Sequence, residues 1–358
     1  MADVGDFLKE LIDSIGRPVR LMEVCGTHTV AIFRQGIRAL LPEGVMLLSG
    51  PGCPVCVTSI RDVDAAIAIS RQKGVILATF GDMMRVPGGK KSLLDAKAEG
   101  SDVRVVYSPL DALRIAGDNG DKKVVFYATG FETTSPSVAA TIIEAERRGL
   151  DNFFIYPVHK TVPPALKALL DSGEVRVDGF ILPGHVSTVI GSVPYGFVAG
   201  DYKKPSVITG FDAADILSGI RMILEQLASG RADVEIQYTR VVKREGNPRA
   251  VAIMNECFEP EDAEWRGIGT IPMSGLKLRE GFRHRDIRSV FELDVPAEGE
   301  PLTACSCGEV LKGIKIPTDC RLFGKACTPD RPVGPCMVSS EGSCAAYYKY
   351  KDIEGVKI

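Results

Sequence analysis

Between residues 45 and 230, short β-branched runs alternate with longer stretches of helical periodicity. That alternation restricts the chain to parallel sheets built from βαβ units. The runs predict strands over 45–50, 75–81, 103–108, 123–130, 153–157, 179–184 and 206–210, with helices over 59–74, 135–149 and 212–230. Most of these strands stop at Gly, Pro or both and run into polar residues, as in SGPGCPVC, TFGDMMRVPGG, YSPLD, ATGFETTSP, YPVHK and LPGHVS. Open α/β sheets gather ligands beyond the carboxyl ends of their strands, and glycine there permits close backbone approach. Six such loops, carrying two cysteines, two histidines and several carboxylates, describe one or two prepared clefts.

ATGFETT (128–134) and ITGFDAA (208–214) echo each other, either as a record of two similar halves or from a shared need for Gly at a strand end. After about residue 231 the pattern changes. VEIQYTRVVKREGNPRAVAIMNECFEP reads as strands with a turn at Gly246-Asn247-Pro248, and from Pro301 onward Cys, Gly and Pro crowd out apolar periodicity. Such a segment rarely folds without a metal or disulfide staple. The division expected is an α/β domain over 22–125, a second over 126–230, and a Cys-rich unit over 231–358 with residues 1–21 packed on it.

The formal net charge of −3 lacks the basic excess of a general nucleic-acid binder. Lys90-Lys91 and Arg283–Arg288 read as solvated surface. MADVGDFLKELIDSIG has acidic residues and no unbroken apolar run, so it reads as an amphipathic helix and not a signal peptide. No stretch reaches the ~18 apolar residues of a membrane span. The expectation is a cytoplasmic chain, where structural disulfides are rare and ten cysteines point to metal or redox chemistry.

Three constellations carry that chemistry. In CGTHT, after Glu23, Cys25 and His28 stand at i and i+3 and can face one direction. They can ligate a transition metal, the imidazole can activate the thiol, or both can simply open a helix. In GPGCPVC, Cys53 and Cys56 sit between a Gly-rich turn and a helix capped by Thr58 or Ser59, with Asp62 following. That is the layout of a redox pair with a thiol pKa lowered at a helix N-terminus. No second C-x-x-C exists to complete a zinc knuckle. Third, Cys305, Cys307, Cys320, Cys327, Cys336 and Cys344 have one, twelve, six, eight and seven residues between them. Wide, uneven spacing with surplus thiols suits an iron–sulfur cluster better than zinc. Glu132 in TGFETTSP stands at a strand–helix junction, as an anion-site residue or a helix cap. His159 and His185 follow strands and can line a cleft, and Cys257 reads as core.

Together CGTHT, GPGCPVCVT, TGFETTSP, LPGHVSTVIG and the run from PLTACSCGEVLKG to GSCAAYYKY resemble the HypD family of hydrogenase maturation proteins, in order, over residues 23–350. The resemblance implies two α/β domains plus a cluster-bearing third, on which the Fe(CN)₂CO unit of [NiFe] hydrogenases is assembled. It implies a HypC-like small chaperone and a HypE-like cyanide donor as partners, for a chain expected to be monomeric when alone. Carried over by motif, Cys25 is the iron-contacting thiolate with His28 beside it, Cys53 and Cys56 are the redox-active pair near that iron, and Glu132 lies in the same cleft. The family's cluster spacing selects Cys305, Cys320, Cys327 and Cys344 for a [4Fe–4S] cluster, with Cys307 able to replace Cys305. Some members have a second histidine where this chain has Val30, so no role carries over there.

Overall fold

The computed structural model describes residues 2–293 and 304–350, so 294–303 and 351–358 of the expected Cys-rich unit lie outside the described residues. Eleven strands are described: β1 Val19–Glu23, β2 Val45–Ser49, β3 Val75–Thr79, β4 Asp102–Val105, β5 Lys123–Ala128, β6 Phe153–Pro157, β7 Gly179–Leu182, β8 Ser206–Ile208, β9 Val234–Ile236, β10 Phe258–Trp265 and β11 Gly269–Leu278. The first sheet runs β2-β1-β7-β8-β9 and the second β4-β3-β5-β6, and every pairing within both is parallel. β10 and β11 form an antiparallel hairpin. The α/β class and its parallel sheets follow the alternation in the sequence.

The strands do not follow the contiguous division 22–125 and 126–230. The chain lays down β1 and β2, builds the whole second sheet, then returns with β7 to pair on the free side of β1. Val19, Leu21 and Met22 are thereby fully buried in the middle of the first sheet. β1 itself, VRLME, escapes the sequence pattern because Arg20 and Glu23 interrupt a run of only five residues. Thr-Gly-Phe follows the strand next to the edge in each sheet, β5 beside β6 and β8 beside β9.

The helix Ala2–Ile15 also departs from expectation. Leu8 and Ile12, one turn apart, join Ile216, Ile220 and Ile223 of the helix Ala213–Ala228 over the first sheet, so this helix covers that sheet and not the Cys-rich segment. The stretch read as strands around Gly246 instead gives the helix Pro248–Cys257. Asn247 caps it, its side chain accepting from Arg249 N at 3.1 Å and Ala250 N at 3.2 Å, and Pro248 takes the first helical position. Ser59 caps the helix Ile60–Ser70 by accepting from Asp62 N at 3.0 Å.

Residues 304–350 hold only short helices, Cys307–Leu311, the 3₁₀ turn Pro317–Asp319, Pro335–Val338 and Ser343–Tyr350. The last lies on the helix Gly26–Arg34, where Tyr347 meets Phe33 edge-on at 4.5 Å. Among the described residues no helix is long and apolar enough to cross a membrane.

Candidate functional site

Parallel pairing brings the strand ends of the first sheet together. β1 aligns Glu23 with Ser49 of β2 on one side and with Ile181 of β7 on the other, and β8 follows β7. The residues just beyond these ends therefore meet: Cys25 after β1, Cys53 after β2, His185 after β7 and Thr209–Phe211 after β8. Gly50 N donates to Glu23 O at 2.7 Å and Gly26 N to Gly52 O at 2.9 Å. A Cβ on Gly52 would stand 2.2 Å from Cys25 N, so only glycine lets the CGTHT and GPGCPVC backbones touch.

Cys25 caps the helix Gly26–Arg34 and is 7% exposed. Burial pushes its thiol up to about 12, opposed in part by the His28 and Thr27 N–H groups. His28 is fully buried, with Nε2 2.9 Å from both Gly210 O and Thr209 Oγ1. A carbonyl only accepts, so the proton is assigned to Nε2, and Nδ1 keeps a buried lone pair without a partner. Burial holds this imidazole down at about 4, hence neutral. Phe211 is stacked by His28 at 4.5 Å and by His185 at 4.1 Å. Beneath them Glu23 accepts from Thr29 Oγ1 at 2.7 Å, and burial raises its carboxyl to about 8.

The Cys56 thiol contacts Cys53 Sγ at 2.7 Å, while Cys53 caps the helix Pro54–Val57. The lowered thiol pKa expected of a helix N-terminus does not hold for Cys56. This helix is one turn long, and burial raises the Cys56 thiol well above its ordinary value.

Glu132 comes from the other sheet, beyond β5. It does not cap the helix that follows it; its Oε1 accepts from Val162 N at 2.9 Å, at the start of the helix Val162–Asp171. Oε2 is buried without a partner, and burial raises the carboxyl to about 7. The Tyr195 hydroxyl is also buried and unpartnered, and burial raises it well above its ordinary value. His159 is set apart. It is buried edge-on to Phe258 at 5.5 Å and borders a different cleft, lined by Tyr156, Arg288 and the Lys160–Asp62 pair at 3.2 Å.

All ten cysteines are free thiols. Cys305, Cys307, Cys320, Cys327, Cys336 and Cys344 line one cavity walled by Val310, Phe323 and Met337. Cys307 and Cys336 pair at 2.9 Å, Cys307 also neighbours Cys305 and Cys336 neighbours Cys344, and Val333 N donates to Cys327 Sγ at 3.3 Å. Cys336 also neighbours Cys56, so the thiols run without a break from Cys53 through Cys56 and Cys336 to Cys307. Burial helps raise Cys305, Cys307 and Cys327, a cost that a bound cation reverses by displacing protons. Among the described residues no three Cys, His, Asp or Glu side chains converge as they would on one ion, Cys25, Cys53 and Cys56 included. The cavity thus presents sulfur atoms in an apolar wall, with an N–H aimed at one of them.

A family model described as HypD, hydrogenase formation hypA family, matches residues 3–351. The chain is 51% identical over 341 residues to the hydrogenase expression/formation protein HupD of Azotobacter chroococcum, covering 93% of this chain and 90% of the relative. It is 48% identical to the hydrogenase maturation factor HypD of Rhodobacter capsulatus, covering 96% and 93%. It is 45% identical to a putative hydrogenase expression/formation protein of Methanocaldococcus jannaschii, covering 99% and 100%. The chain belongs to the HypD family. Hydrogenase maturation is therefore its field of action.

Three neighbours of the HypD site went unnoticed in the sequence. Tyr195 sits in a short 3₁₀ turn with no motif signal. Glu341 accepts from Thr27 Oγ1 at 2.7 Å, from more than three hundred residues away. Phe211, between the two histidines, was visible only as part of the Thr-Gly-Phe echo.

Proposed function

We propose that this HypD-family chain is the scaffold on which the Fe(CN)₂CO unit of [NiFe] hydrogenases is assembled and from which it is handed on. The observation that carries the reading is the position of Cys56, in contact with Cys53 on one side and Cys336 on the other, which joins the strand-end cleft to the C-terminal cysteine cavity. Iron is the substrate. Low-spin iron(II) carrying cyanide and carbon monoxide takes a thiolate ligand readily, and Cys25 supplies it by giving up its proton to the neutral imidazole of His28. Neutral His28 keeps an unprotonated nitrogen nearby, and Glu132, protonated below about pH 7, holds a proton at the cleft's far side. Closing the Cys53–Cys56 bond turns two thiols into a disulfide, with two electrons passing to the iron centre under assembly and two protons released. Cys305, Cys320, Cys327 and Cys344 fit a [4Fe–4S] cluster, which when bound supplies single electrons.

A HypC-like chaperone and a HypE-like cyanide donor are the partners this role requires, in the cytoplasm. The alternative, a free-standing thiol–disulfide oxidoreductase acting on other proteins, needs an accessible attacking thiol. Cys53 is 3% exposed and Cys56 fully buried, which favours an internal substrate. Anaerobic co-purification with a HypC-like protein tests the proposal. A brown complex with infrared bands of iron-bound cyanide and carbon monoxide is expected, and a colourless complex without those bands contradicts it.

A further inference from the structure

Arg266 follows β10 where three parts of the chain meet. Its backbone N–H donates to Val57 O at 2.9 Å, in the helix of the C-x-x-C motif. Its neighbour Gly267 touches Gly308, the residue after Cys307, so closely that a Cβ on Gly267 would stand 2.6 Å from Gly308 Cα. The side chain is wedged between the two cysteine motifs and is 6% exposed.

Its charge is unbalanced in a way the other buried cations are not. Among the described residues Lys160 pairs with Asp62 at 3.2 Å and Arg285 with Glu146 at 2.7 Å, whereas Arg266 has no carboxylate partner. Nη2 donates to Pro87 O, and Nε and Nη1 are buried without a hydrogen-bond partner. A buried cation without a counter-ion is strongly disfavoured, so a negative group must complete the site. The groups around it able to carry negative charge are Cys307, Tyr127, Cys336 and Cys305.

We infer that Arg266 is the counter-charge of the C-terminal cysteine centre, a positioning residue whose fixed positive charge favours the centre's reduced, more negative state. The inference rests on the reading of Cys305, Cys320, Cys327 and Cys344 as cluster ligands; of these Cys305 lies beside Arg266, as does Cys307, which can take its place. Net charge and N–H groups aimed at sulfur are the terms that set such a centre's potential. Reduction adds one electron from an external one-electron reductant such as dithionite, with no change in bonding at Arg266.

The test is a midpoint titration of the purified anaerobic holoprotein followed by electron paramagnetic resonance, on wild type, Arg266→Gln and Arg266→Lys with iron content matched. Arg266→Gln is expected to shift the one-electron equilibrium about tenfold toward the oxidised state, a midpoint lower by about 59 mV. Arg266→Lys, which keeps the charge, is expected to stay within about threefold of wild type. An unmoved midpoint in Arg266→Gln overturns the inference, as does an equal shift in both variants. If Arg266→Gln does not accumulate as folded holoprotein, a tenfold displacement in Arg266→Lys alone overturns it. An iron-free, colourless wild type overturns the cluster reading and the inference with it, whereas a brown protein with an unmoved midpoint overturns the inference alone.

Discussion

Glu132 offers a pH signature that separates its role from plain packing. Its carboxyl is about 4.5 when unfolded and about 7 when folded, raised by burial and opposed by the Val162 N–H. The folded state therefore holds the proton more tightly. The stability this confers is complete below about pH 4.5 and is lost as pH rises through 7, to the extent of about 3 kcal/mol. His28 and His159, held down at about 4 and about 3, act with the opposite sign, losing stability as pH falls below 6.5. The informative quantity is thus the difference between wild type and Glu132→Gln. The variant should match wild type within about 1 kcal/mol at pH 5 and exceed it at pH 7.5 by about 2–3 kcal/mol in urea unfolding. Equal slopes would mean the carboxyl is already ionised. At this scale the sequence was most legible where motifs follow strands: Cys25 and His28 lie beyond the end of β1, and Cys53 and Cys56 beyond the end of the neighbouring β2. Tyr195, Glu341 and Arg266 were not legible, because each gains meaning only from residues distant in the chain.

Among the elements, the loop between β2 and the helix Pro54–Val57 is the most constrained. Gly52→Ala would drive a Cβ to 2.2 Å from Cys25 N. It should cost about 1–3 kcal/mol in unfolding and displace Cys25 from the cleft, read as lost iron retention. Asn247→Ala removes a two-bond cap and should cost about 1 kcal/mol while leaving iron binding intact. Long elements with clear periodicity were legible: β3, β5 and β6 and the helices Ile60–Ser70, Ser135–Arg148 and Ala213–Ala228 fall where the pattern puts them. β1 was not, since five residues with two charges carry no period. The helix Pro248–Cys257 was masked by a Gly-Asn-Pro signal that reads equally as a turn or as the start of a capped helix.

For the whole molecule, topology decides what the cleft contains. Because β7 and β8 complete the sheet begun by β1 and β2, residues near 25, 53, 185 and 210 share one edge. No local pattern announces such a return. The Cys-rich segment then closes over that edge through Tyr347 on Phe33 and Glu341 on Thr27. With so little regular structure of its own, the segment should depend on the iron proposed for it. Removing iron with a chelator under reducing conditions should speed proteolysis within 304–350 and leave both large sheets protected. Unchanged cleavage there would mean the cysteine cavity folds without metal. The most direct measurement of the central claim is the infrared spectrum of the anaerobic complex with a HypC-like partner, compared among wild type, Cys25→Ala and Cys257→Ala. The Cys257 thiol lies in the core beside Ala139 O at 3.6 Å, away from the cleft, so its variant should keep the cyanide and carbon monoxide bands. Cys25→Ala should lose those bands and stay brown; bands that survive in Cys25→Ala would contradict the assignment of this thiolate as the iron's anchor.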